Sequence, residues 1–249
     1  MSVRSPSVAG TFYPGRADEL RRAVDGTLPK VPKERAIAVV VPHAGFLYSG
    51  KVAGAVYGRV ELPRDIVILC FNHRGAGREF AVWREGVWIT PMGQAPVHTE
   101  LADAIKGVFL PADFDESGHL GEHSGEVQLP FLQRLRPDLR IAPVALSMGL
   151  DDRTFRQLEA FGQALASLRE EFLVVASTDL NHYENQERTV RKDEAVIAAI
   201  EALDAEALRR TLADQEISMC GYAPTIATIA YARAKGAVRA RTVLHATSA

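Results

Sequence analysis

Residues 37–50, IAVVVPHAGFLYSG, decide how this chain is read. The β-branched apolar run 37–41 has the character of a buried strand, and Pro42 and Gly45 break it before a second ordered element can start. Ser49 is a plausible N-cap for a helix running to about residue 60, with Val52, Ala55 and Val56 facing inward. His43 therefore stands just past the carboxyl end of a strand. In open α/β sheets ligands bind in the crevice beyond those ends, so an imidazole there is placed for chemistry.

Working outward, other strands end in the same way. Residues 65–71, DIVILCF, are continuously apolar like a strand covered on both faces, and they lead to His73. Residues 172–177 form another buried strand, leading into Asp179 and His182. Residues 140–147 read as a further strand, and 79–90 as a hairpin turning near Glu85 and Gly86. Helical spacing appears in residues 17–28, after Thr99, and over 151–168, where Phe155, Leu158, Phe161, Leu165 and Leu168 share a face. Residues 189–203 and 205–214 add two more helices. Pro130 should kink or break a helix in EHSGEVQLPFLQRL, residues 111–121 read as loop, and 242–246 as a last strand. Alternating strands and helices predict one α/β domain spanning 1–249, with a mixed, largely parallel central sheet and helices on both faces.

The composition excludes several classes. The chain has 249 residues, 47% hydrophobic and 24% charged, with a formal net charge of -2. A pI near 6.4 argues against direct nucleic-acid binding, which needs a basic surface to displace counterions. The longest apolar runs fall far short of the roughly 20 residues of a membrane helix, and the amino terminus lacks the apolar core of a signal peptide. A cytoplasmic protein with no membrane role is the expectation. Cys70 and Cys220 make no disulfide framework.

If the strands are parallel neighbours, His43, His73, Asp179 and His182 converge on one edge of the sheet. Cys220 lies just before a helix, where amide N–H groups and the helix dipole would lower its pKa and favour a metal-binding or nucleophilic thiolate; the alternative is a small buried apolar residue. Cys70, inside an apolar strand, reads as core. His123 has two readings: an acid or base in the crevice, or part of a helix start that Ser124 caps and Glu126 joins in its first turn. His98, His119 and His245 read as surface or core residues. Tyr48, Tyr183 and Tyr222 lie close to these candidates and either line a pocket or simply pack.

The motifs SPSVAGTFYPG, VPHAGFLYSG, FNHRG, EHSGEVQLPFL, STDLNHY and MCGYAP, in this order and across nearly the whole chain, resemble the Memo family, whose bacterial members are called AmmeMemoRadiSam system protein B. That family is similar in fold to the catalytic subunit of class III extradiol dioxygenases, which hold non-haem iron with two histidines and a glutamate. The resemblance implies metal ligands at His43 and His73, with Cys220 where the dioxygenases carry glutamate. It implies non-ligand active-site roles for His123 and His182, with Asp179 beside them; Thr178 stands where serine is more usual. The cofactor expected is a divalent transition metal, Fe(II) first, with copper or zinc competing because thiolate is a soft ligand. Two functions follow: a metal-dependent redox enzyme or dioxygenase homologue acting on a small molecule, or a non-catalytic adaptor holding a peptide in the same crevice. The bacterial family name also implies a radical-SAM protein and a third component as partners.

Overall fold

The computed structural model describes residues 2–147 and 149–248. In chain order the strands are β1 (Val3–Arg4), β2 (Ala38–Val41), β3 (Asp65–Phe71), β4 (Phe80–Val82), β5 (Val87–Thr90), β6 (Gly93–Pro96), β7 (Asp113–Phe114), β8 (Arg140–Leu146) and β9 (Leu173–Ser177). The helices are α1 (Ala17–Asp25), α2 (Phe46–Tyr57), α3 (Thr99–Val108), α4 (Leu129–Leu135), α5 (Asp152–Ala166), α6 (Gln186–Glu201), α7 (Ala205–Asp214) and α8 (Tyr222–Ala234). A six-stranded sheet runs in the order β2-β9-β3-β8-β4-β7, and β1-β5-β6 form a separate three-stranded sheet. The central strands β2, β9, β3 and β8 are all mutually parallel, and β4 joins β8 antiparallel.

The pleat of β3 explains its unbroken apolar sequence. Val67 and Leu69 enter a core shared with α3, α5, α6, α7 and α8, while Ile66 and Ile68 enter the opposite core with α1, α2 and α4. All four are fully buried. Each contributes about 1.5–3 kcal/mol of burial, so helices on both faces follow from the strand's composition. On α5, Phe155, Leu158, Phe161 and Leu165 are the buried stripe, and Asp151 caps it by accepting the Arg153 and Thr154 N–H groups.

Several expectations need correction. The helix after β2 starts at Phe46, not after Ser49; Ser49 lies inside it and donates to the Ala44 carbonyl at 2.7 Å. Its inward face is Ala53, Gly54, Val56 and Tyr57, leaving Val52 and Ala55 only half-buried. The 79–90 segment is not one hairpin. Its first half, β4, pairs with β8, and its second half, β5, turns back through 91–92 to pair with β6 in the other sheet. Period-two alternation predicts strands but not which sheet each will join. Pro130 does not break a helix but occupies the first turn of α4, where a missing N–H costs nothing. The 111–121 loop contains the short β7, and 242–246 is not a strand.

Candidate metal centre

The parallel register Val41↔Ser177 and Leu69↔Ala176 brings the ends of β2, β9 and β3 side by side. His43, Asp179 and His73 leave the sheet at that shared edge. Cys220 arrives from the start of α8, which sits against the end of β9. A side chain at Gly221 would collide with the Ser177 carbonyl and the Thr178 side chain, so glycine is what permits this approach. Thr178 Oγ1 accepts the Gly221 N–H at 3.0 Å and fixes it.

One ligand atom each from His43, His73 and Cys220 falls within a 4.8 Å cluster, and Cys220 Sγ lies 3.2 Å from His43 Nε2. The hydrogen bonds behind the rings assign their tautomers. Ser177 Oγ donates its one hydrogen to the Ser124 carbonyl at 2.7 Å and accepts from Gln128 Nε2 at 2.9 Å. At 2.9 Å from His43 Nδ1 it can then only accept, which puts the proton on Nδ1. His73 Nδ1 lies 3.0 Å from Glu122 Oε1, a carboxylate that also accepts the His73 and Ser124 backbone N–H groups. Burial alone would raise the Glu122 pKa, but the His73 and Ser124 hydrogen bonds outweigh it and hold it near 2. An ionised acceptor again puts the ring proton on Nδ1. In the neutral form of each ring this tautomer turns the Nε2 lone pair away from its partner and leaves it for a ligand role.

Burial disfavours charge on His43, His123 and Cys220. Burial pushes the His43 pKa down to about 4, against the opposing pull of Asp179, and His123 is lowered by the same cause. The Cys220 thiol is pushed up to about 12 by burial and by Asp179. This corrects the expected thiolate. The Asp179 N–H does reach the sulfur at 3.3 Å, but desolvation is the larger effect, so without a metal the sulfur keeps its proton. A soft thiol beside two imidazoles fits a divalent transition metal, whose charge would displace that proton.

The remaining predicted residues divide into two flanks. The His123 ring stacks on His73 with centroids 4.7 Å apart, meets His43 edge-on at 5.3 Å and packs against Phe12. His182 lies on the other flank, grouped with Asp179 and Cys220, its Nδ1 2.8 Å from the Ser218 carbonyl. Asp179 Oδ1 accepts the His43 and Ala44 backbone N–H groups, so it holds the turn that carries His43. His43 is buried, Cys220 intermediate and His73 exposed, so the cluster opens on the His73 side. Tyr48 and Tyr183 are exposed, and Tyr222 packs on Phe71. His119 is core beside Trp83 and Trp88, His98 caps α3, and His245 bonds Asp193.

Sequence reasoning missed Ser177, Gln128 and Glu122 as ring-orienting partners; it placed Glu126 in the first turn of a helical segment, where it begins the 3-10 turn Glu126–Gln128, but did not foresee its partners. That carboxylate is fully buried and accepts from Arg4, Tyr13 and the Ser7 and Val8 N–H groups, locking the amino-terminal segment to the loop carrying Glu122 and His123. The one local signal lay beside His123, which Glu122 and Ser124 flank; nothing next to His43 or His73 points to Ser177, Gln128 or Glu122.

Residues 4–249 match the family described as Memo-like protein. A "MEMO1 family protein" of Aquifex aeolicus is 40% identical over 96% of this chain and 90% of its own length. Another, from Desulfurococcus amylolyticus, is 38% identical over the full chain and 93% of its length, and one from Thermotoga neapolitana is 41% identical over 88% and 85%. Among solved structures, an uncharacterized protein, JW3007, from Escherichia coli K12 overlays on 71% of this chain and 78% of its own, at 20% identity and a TM-score of 0.48.

Proposed function

This chain belongs to the Memo-like family, and from that premise we propose that His43, His73 and Cys220 hold one divalent transition metal, Fe(II) first, in a metal-dependent redox enzyme related to the class III extradiol dioxygenases. The observation that carries this reading is the pair of imidazoles whose Nδ1 protons are both committed to buried acceptors, Ser177 and Glu122, leaving two Nε2 lone pairs beside a thiol.

With three protein ligands and coordination positions left over, such a metal supplies Lewis acidity and, if it is iron or copper, redox chemistry. The chain's own groups supply the rest. His123, held uncharged by burial and stacked on His73, is the base on the open side. His182, with its Nδ1 committed to the Ser218 carbonyl, presents Nε2 as a second proton carrier across the cluster. Asp179 fixes the turn on which His43 sits. The substrate is a small molecule entering over His73. Partner proteins of radical-SAM type belong to the same reading through the family's bacterial members.

A phosphopeptide adaptor would want free guanidinium groups at the rim. Arg74 donates its Nε to the Gly121 carbonyl, and Arg78 lies against Asp113, so neither nearby arginine favours that function.

Protein purified without oxygen should bind about one equivalent of a transition metal, and His43→Ala should abolish it. Unchanged binding in His43→Ala overturns the reading.

A further inference from the structure

Arg4 is buried where an apolar residue would be expected. The two residues of β1, Val3 and Arg4, pair in parallel with Val87 and Trp88 of β5. Successive side chains of a strand point to opposite faces, and here Val3 is 55% exposed while Arg4 is 1% exposed. A strand placed only for burial would turn its valine inward and its arginine outward. A register shifted by one residue would do that, so the guanidinium is the group this strand is set to deliver.

That guanidinium lies over the Trp88 ring, 4.3 Å from its centroid, and directs its donors at one stretch of chain. Nε donates to the His119 carbonyl at 3.1 Å, Nη1 to Glu126 Oε2 at 2.7 Å, and Nη2 to the Glu122 carbonyl. These acceptors span the loop that carries Glu122 and His123. A rigid planar fork fixes all three at once, which a single ammonium cannot do. From the backbone position set in this way, the Glu122 carboxylate reaches both Nδ1 and the backbone N–H of His73. The other imidazole is supported separately. Ser177 meets His43 Nδ1, and Gln128, which bonds Ser177, is itself held by the Tyr57 hydroxyl at 2.8 Å and the Pro42 carbonyl at 3.0 Å.

We propose that Arg4 is a positioning residue for His73: its guanidinium, brought in by β1, places the Glu122 backbone so that the carboxylate keeps the His73 proton on Nδ1 and leaves Nε2 for the ligand role. The three-stranded sheet thereby becomes the support of one half of the site. Its functional meaning rests on the reading of His73 as a metal ligand. The attachment of the amino-terminal segment is a separate matter, because Tyr13 and the Ser7 and Val8 N–H groups also hold Glu126.

The test compares the two rings in the metal-free native chain and in Arg4→Lys, which keeps a charge beside Glu126 and loses the fork. Long-range proton–nitrogen NMR at about pH 8.5 should show native His43 and His73 as single Nδ1–H tautomers. In Arg4→Lys the separation of the two His73 nitrogen signals should shrink to about half or less as tautomers mix, with His43 unchanged. Iron affinity should fall about 10–100-fold with the sulfur ligand retained. Ile105→Ala, in the buried face of α3, lowers the thermal midpoint from a remote place and should leave both tautomers single. If Arg4→Lys does not fold, Arg4→Met combined with Glu126→Gln removes both charges of the pair and should give the same His73 signature. A His73 ring that stays a single Nδ1–H tautomer in these Arg4 variants overturns the proposal, and so does equal mixing in Ile105→Ala. The tautomer is read without metal, so a native chain that binds no metal would sink the metal reading while the NMR comparison still decides the role of Arg4.

Discussion

The surroundings of Cys70 and Cys220 separate what a thiol's pKa reveals from what it does not. Burial pushes both thiols up to about 12. Around Cys70 the neighbours are structural: its Sγ reaches the Val144 carbonyl at 3.6 Å, and it forms a floor of small side chains with Ala81 and Ala145. A side chain at Gly125 would stand 3.3 Å from Cys70 Sγ, and one at Gly118 would stand 2.9 Å from Ala81. That low floor lets the loop carrying Glu122 and His123 settle close to the sheet. Around Cys220 the neighbours are His43 Nε2 and Asp179. One thiol supports the site by being small, and the other enters it by meeting unprotonated nitrogen. Two thiols raised to the same pKa are told apart by which atoms converge on the sulfur.

The largest effect that would break this contrast is in metal affinity. Cys220→Ala should lower it by at least about 100-fold, while Cys70→Ala should leave it within a few-fold; equilibrium competition against a chelator measures both. Next comes Glu122→Gln, which removes the ionised acceptor behind His73 and should cost about 10–100-fold, with Ser177→Ala toward the lower end of that range. Cys70→Leu should raise the floor, destabilise the fold by about 1–3 kcal/mol in urea titration and weaken metal binding through displaced Glu122, whereas Cys70→Ala should cost only about 1 kcal/mol. Smaller still is a protonic signature. Since the Cys220 thiol carries its proton in the metal-free protein, binding near pH 7 should release about one proton, read from the buffer dependence of the calorimetric heat, and Cys220→Ala should abolish that release.

A pH effect lies outside both thiols. His119 is fully buried, its Nε2 bonded to the Ala81 carbonyl, and burial lowers its pKa from 6.5 to about 4. The unfolded chain therefore binds the proton more readily than the folded one. This contribution to stability is complete above pH 6.5 and is lost as pH falls toward 4, so the urea midpoint should drop across that window. A His119→Gln variant should show a shallower drop, even if it starts from a lower midpoint.

Much of the fold, and the convergence of His43, His73, Asp179 and His182 on one sheet edge, was legible because both depend on local pattern, whereas Cys220 joined the two histidines as a candidate ligand set only through the family resemblance. The runs at β2, β3 and β9 have the composition of doubly covered strands, and each is followed at once by a reactive residue. What was not legible depends on contacts distant in sequence. Ser177 and Glu122 orient rings that belong to other strands. Glu126 is the first-turn residue its position suggests, but its partners Arg4 and Tyr13 come from the distant amino-terminal segment. Val52, expected to face inward, is only half-buried, because helical spacing fixes a face of α2 but not how deeply each residue on it is covered. The Cys220 pKa went the wrong way because helix position is readable from sequence and burial is not.

The most direct test of the central claim is metal-edge X-ray absorption on protein purified anaerobically and loaded with Fe(II). One sulfur at about 2.3 Å together with two imidazole nitrogens at about 2.1 Å is the predicted first coordination sphere, with the sulfur lost in Cys220→Ala and retained in Cys70→Ala. A coordination sphere without sulfur in the native protein, or occupancy below about half an equivalent, would contradict it.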